Sequence, residues 1–160
     1  MHSLNSLPRY GRFPCGRFGR AALLAVTACA AVASDNTLPA TDPRSARLEA
    51  FFKAYDCPAP LHVNEYLRAA DSHDLDYRIL PAISLVESTC GAFEKMNNRW
   101  GWDSAQSGFP SVPAGIEFIT AQLAENPHYK GKTLEQKLYT YNPYKGYVRQ
   151  IARLMQEIQD

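Results

Sequence analysis

Glu87 is the only charged side chain in the run Ile79-Leu80-Pro81-Ala82-Ile83-Ser84-Leu85-Val86-Glu87-Ser88-Thr89-Cys90-Gly91. The run is apolar on nearly every side of a helix, which predicts a central, buried element. A carboxylate in its last turn would meet desolvation and the negative end of the helix dipole, and both favour the protonated form. A carboxylic acid held neutral near pH 7 is what protonating a glycosidic oxygen requires. The competing reading is a structural glutamate that reaches solvent or accepts from a backbone amide.

Two aromatic groups could supply a binding surface. Trp100 and Trp102 flank Gly101, and on an extended strand their indoles would point to opposite faces. Asn97, Asn98, Gln106 and Ser107 add neutral hydrogen-bonding groups nearby. Tyr139, Tyr141, Tyr144 and Tyr147 surround Asn142-Pro143. Aromatic faces beside amides and hydroxyls suit a sugar ring, with its apolar CH patches and many hydroxyls. At least half of these aromatics are expected to be ordinary core.

Helical periodicity supplies the elements that must hold these groups. Asp42-Pro43 reads as an N-cap with proline at the first helical position, followed by a stripe of Leu48, Phe51, Phe52 and Tyr55. Val63, Tyr66, Leu67 and Ala70 repeat the spacing, and a third helix is expected from about Asp76 to Cys90, with Pro81 kinking or starting it and Gly91 as its cap. Periodicity vanishes from Phe93 to Pro110, which predicts an irregular lobe or short hairpin. It returns with Ile116, Ile119 and Leu123. Thr133-Leu134-Glu135-Gln136 reads as a capping box. Tyr147, Val148, Ile151, Leu154, Met155 and Ile158 define a last amphipathic helix. The fold class expected is all-α, α-rich α+β at most, with five or six short helices.

The N-terminal region reads differently. Four arginines (Arg9, Arg12, Arg17, Arg20) precede the apolar stretch 21–33, which ends in Ala31-Val32-Ala33. That is the layout of an export signal, and thirteen residues are too few for a membrane span. Residues 1–33 are therefore expected to be a signal peptide, 34–43 a linker, and 44–160 one domain. Val26-Thr27-Ala28-Cys29 offers a second possibility, a lipoprotein anchored through Cys29. Either route predicts a periplasmic or extracellular protein. It would leave two cysteines, Cys57 and Cys90, for which a single connectivity exists. Their closed loop would contribute roughly 3–4 kcal/mol.

Charge and motifs narrow the class. The chain totals +1, but beyond residue 33 it holds 13 basic against 16 acidic residues, a net of −3. That argues against nucleic acid as a partner. The four histidines are scattered, and no HExxH, GxSxG, GxGxxG or GxxxxGK[ST] occurs. Neither a metal nor a cofactor is expected. The domain is expected to be a monomer.

Four segments then resemble one superfamily, the bacterial lysozyme-like peptidoglycan enzymes. Leu80-Pro81-Ala82-Ile83-Ser84-Leu85-Val86-Glu87-Ser88-Thr89-Cys90-Gly91 is similar to the helix that ends in their essential glutamate. Asn98-Arg99-Trp100-Gly101-Trp102 resembles the segment that follows it, and Phe109-Pro110-Ser111 with Gly115-Ile116 the next helix start. Thr140-Tyr141-Asn142-Pro143 resembles the Tyr-Asn motif of soluble lytic transglycosylases and glucosaminidases. The order is the family's, over about Leu75 to Ile158. The resemblance implies a lysozyme-like helical domain acting on the β-1,4-linked glycan strands of peptidoglycan. It implies Glu87 as general acid and base, Ser88 beside it, Tyr141 and Asn142 near the scissile bond, and Asn98, Trp100, Gly101 and Trp102 along the glycan groove. Glycosidases ordinarily need two acids, whereas lytic transglycosylases use one glutamate and the substrate's own 6-hydroxyl. Glu94 and Asp103 are the downstream carboxylates, and neither sits in a recognisable second-acid pattern, which favours the one-acid reaction. The alternatives are a two-acid muramidase or N-acetylglucosaminidase and a catalytically silent peptidoglycan-binding protein on the same fold. Tyr141-Asn142 is followed by Pro143-Tyr144 rather than the Ala-Gly usual in transglycosylases.

Overall fold

A computed structural model describes residues 42–158. The expected signal peptide, Cys29 and residues 34–41 of the expected linker lie outside the described residues. Six α-helices and no strand are present among them, an all-α domain: α1 (Pro43–Ala54), α2 (Val63–Ser72), α3 (Ile79–Ser88), α4 (Val112–Glu125), α5 (Leu134–Tyr141) and α6 (Lys145–Glu157).

Local chemistry accounts for the helix starts. Asp42 accepts from the Arg44 N–H at 2.9 Å, and Pro43 is the first residue of α1. At α5 both halves of the capping box form: Thr133 accepts from Gln136 N–H and Gln136 accepts from Thr133 N–H. At α4 the Ser111 hydroxyl accepts from Ala114 N–H, with Pro113 in the first turn.

Burial follows the apolar stripes. Leu48, Phe51 and Phe52 of α1 pack with Val63, Tyr66 and Leu67 of α2; Ile116, Ile119 and Leu123 of α4 and Ile151, Leu154 and Met155 of α6 complete the core. Each fully buried side chain of this size is worth about 1.5–3 kcal/mol over an exposed one. Six consecutive residues of α3, Ile79 to Ser84, are buried, so α3 is the central helix. Pro81 is its third residue, where no helical partner exists for the missing N–H.

Two expectations are corrected. α3 is shorter than the 76–90 stretch: Asp76 ties Arg78 locally instead of starting the helix, with Arg78 N–H donating to Asp76 Oδ1 at 3.0 Å. At the other end Thr89 (φ 52°) and Cys90 (φ 56°) take the left-handed turn themselves, so Gly91 is not the first residue to reverse the chain. Of the two forms expected for the stretch from Phe93 to Pro110, the irregular one is present, with an isolated Lys95–Asn98 bridge and a 3₁₀ turn over Trp102–Ala105.

Cys57 and Cys90 form a disulfide across 33 residues. It ties the α1–α2 turn to the residue three beyond Glu87. None of the described helices is long and apolar enough to cross a membrane.

Candidate active site

The end of α3, the irregular segment after it, α4 with the turn that follows it, and the end of α5 converge on one cleft of about 660 Å³. Glu87, Gly101, Trp102, Asp103, Tyr141 and Asn142 line it, with Phe109, Phe118 and Tyr129. Five of the eight site residues expected from sequence therefore meet here: Glu87, Gly101, Trp102, Tyr141 and Asn142.

Glu87 is the next-to-last residue of α3. Unlike the buried run Ile79 to Ser84, it is exposed and lines the cleft. Loss of water around its carboxyl still pushes its pKa upward, and the Tyr147 hydroxyl partly offsets that by favouring the charged form. Gly101 lets the chain pass at this point. Its φ is +64°, and a β-carbon there would stand 2.8 Å from Glu87 Oε2. Only glycine accepts both the backbone angle and the approach.

Two tyrosines enclose the acid. Tyr141, the last residue of α5, stacks on Tyr147 of α6 at 6.3 Å and 7°. The Tyr141 hydroxyl donates to the Trp100 carbonyl at 2.5 Å. Burial first, then the Glu87 charge, raise the pKa of both phenols, so both stay protonated. The Tyr147 hydroxyl is buried, has no partner within hydrogen-bonding limits, and lies close enough to Glu87 for each to shift the other. Such a donor can receive a carboxylate once Glu87 has given up its proton.

The wall beside the acid is aromatic. Trp102 contacts Tyr141 (5.9 Å), Phe118 (6.0 Å, edge-on) and Tyr129 (6.4 Å). Asp103 is the second carboxyl in the cleft and accepts from the Ser107 hydroxyl at 2.5 Å. Glu94 is engaged elsewhere, 2.8 Å from the Nε of buried Arg99.

Three expected site residues belong to the scaffold. Trp100 is fully buried, edge-on to Tyr66 (6.3 Å) and Phe109 (6.2 Å), and does not face the groove. The turn at Gly101, not an extended strand, separates its indole from that of Trp102. Asn98 is buried. It donates to the Trp102 and Ser107 carbonyls, both at 2.8 Å, and accepts from Trp102 N–H at 3.0 Å. Ser88 is also buried, and its hydroxyl donates to the Arg99 carbonyl at 2.7 Å while accepting from Gly91 N–H at 2.9 Å. These groups hold the loop that carries Gly101 and Trp102, since backbone polar atoms in an irregular buried segment need partners.

Phe118, Tyr129 and the positioning of Tyr147 were not anticipated. Phe118 lies two residues past Ile116 on α4, off the buried stripe, and a large aromatic at that offset is the one available signal. Tyr129 follows α4 in a non-periodic turn and gives none. Among the described residues no group of three or more His, Cys, Asp or Glu side chains is placed to hold a metal ion. Comparison with known protein families, curated proteins and solved structures finds no match to the chain.

Proposed function

We propose that this is an exported cell-wall enzyme that cleaves the β-1,4-linked glycan of peptidoglycan, with Glu87 as its acid and base. One observation carries the reading. A carboxyl whose neutral form is favoured stands in a cleft walled by Trp102, Tyr141 and Phe118. Neutral Glu87 donates its proton to the glycosidic oxygen as the bond to C1 breaks. The resulting carboxylate is stabilised by the Tyr147 hydroxyl. In the one-acid reaction it then takes the proton of the sugar's own 6-hydroxyl, whose oxygen closes on C1 to give a 1,6-anhydro end. Glu87 finishes as it began, and the reaction is a lytic transglycosylation. Trp102 and Asn142 supply a stacking face and amide groups for the sugar rings.

The resemblance of the four motifs to the lysozyme-like superfamily supports the same reading. The Cys57–Cys90 bond supports export, since such bonds persist in oxidising compartments, periplasmic or extracellular. A two-acid hydrolase is the second reading, favoured by one observation: Asp103 lines the same cleft.

Mass spectrometry of the fragments released from purified sacculi distinguishes them. Anhydro-ended soluble fragments are expected. Reducing ends would transfer the assignment to the hydrolase with Asp103 as partner. No release at all would refute a glycan-cleaving enzyme.

A further inference from the structure

A second groove, about 570 Å³, runs between α5 and α6 on the side of α5 away from the cleft, lined by Lys132, Glu135, Tyr139, Thr140, Lys145 and Arg149. Three cations face one carboxylate there. Lys145 and Arg149 are exposed and one helical turn apart on α6, so both project into the groove together. Among the described residues neither has an ion-pair partner. Lys132 donates to the Thr140 hydroxyl at 2.8 Å, which holds its ammonium at the groove wall. Tyr139 is half exposed and gives the groove an aromatic side.

The start of α6 adds to this. No side chain caps its N-terminus, and its first turn carries Lys145 but no acidic residue. A cation at a helix N-terminus opposes the dipole, so both local features await an anion.

Position says which anion. Asn142 lines the cleft and Lys145 lines the groove, and the three-residue step between them spans at most about 11 Å. Peptidoglycan strands carry short peptides on alternate sugars, and these end in free carboxylates. An extended peptide of four or five residues reaches roughly 14–17 Å. A stem leaving a strand in the cleft past Asn142 can therefore put its carboxylates between Lys145 and Arg149.

We propose that the α5–α6 groove is a binding site for the carboxylates of the peptide stems, so that the protein prefers peptide-bearing glycan over bare glycan. The inference rests on the glycan-cleaving reading. A Lys145→Gln/Arg149→Gln double variant tests it. Both side chains are exposed, and its thermal midpoint should match wild type. On peptide-bearing strands its kcat/KM should fall about tenfold, through KM, while on strands stripped of stems by an amidase it should equal wild type. The wild-type preference for peptide-bearing strands should itself shrink with added salt. Equal activity of wild type and variant on both substrates would overturn the proposal. An equal loss on both would also do so, and would assign the groove to the glycan or to another polyanion. If wild type cleaves neither substrate, the glycan-cleaving reading fails. The groove is then judged by titrating full-length wild type and double variant with a free stem tetrapeptide. Binding lost in the variant sustains the site, and no binding or unchanged binding refutes it.

Discussion

Two concave regions invite comparison, and the larger is not the one to which the proposed chemistry is assigned. The cavity at the α1–α2 turn measures about 900 Å³, against about 660 Å³ for the cleft at the end of α3. Its charges (Glu49, Lys53, Asp56, His62, Glu65) are of both signs and spread over a turn. The cleft instead gathers two carboxyls, Glu87 and Asp103, with phenols and an indole around a point that only glycine can occupy, and among the described residues no basic group lines it. Volume reports where a ligand could fit. Partial desolvation of a carboxyl beside a buried donor reports where a proton could be moved.

The largest effect expected from this difference is on turnover. Glu87→Gln should lower the release of soluble fragments from sacculi by ~10³-fold, within the range for a lost general acid. Glu65→Gln, in the larger cavity, should stay within twofold of wild type. Comparable losses in both would erase the distinction.

The next effect is on stability, because the Cys57–Cys90 bond joins the two regions. Cys57 lines the larger cavity and Cys90 follows Glu87 by three residues. A Cys57→Ala/Cys90→Ala variant should lose about 3–4 kcal/mol in urea unfolding, the chain-entropy value for a loop of this length. A loss under 1 kcal/mol would show that the helices alone fix both regions.

A glycine pair sharpens the comparison at smaller scale. Gly101 and Gly131 both have positive φ, +64° and +74°, but a β-carbon at Gly131 meets nothing within 4 Å. Alanine at either should cost about 1 kcal/mol of stability. Only Gly101→Ala should also reduce kcat, about 10–100-fold, by displacing the Glu87 carboxyl. Equal kinetics for the two variants would detach Gly101 from the acid.

These contrasts also mark what the sequence could reveal. The helices were legible because their stripes report burial directly; Leu48, Phe51 and Phe52 or Ile116, Ile119 and Leu123 could serve little else. Glu87 was legible because a charge in an apolar run must be explained. Its exposure was not: the run predicted a buried helix, but in the last turn Glu87 is exposed while Ser88 stays buried. The segment 98–102 was harder still. It has no period, so nothing in the residue types says that Trp100 turns inward while Trp102 lines the cleft. Backbone-directed bonds of Asn98 and Ser88 and the left-handed turn at Gly101 decide that. Tyr147 illustrates a different gap, since its place on the α6 stripe correctly predicts burial and conceals its nearness to Glu87.

The smallest expected effect is on the pH dependence of folding. The Glu87 pKa is raised in the folded state, so the native chain binds more protons than the unfolded one between the unfolded and folded values. Its ionisation therefore subtracts from stability as pH rises from about 4.5, the ordinary value, through the folded one. Glu87→Gln should match wild type in thermal midpoint well below that window and exceed it slightly at pH 7. A variant less stable at pH 7 would reverse the sign and place a favourable partner on the carboxylate.

Carbon-detected NMR titration of the Glu87 side-chain carboxyl in the wild-type chain, assigned by its absence in Glu87→Gln, measures the held proton itself. The account predicts a midpoint above 4.5, the ordinary glutamate value. A midpoint at or below 4.5 would contradict it.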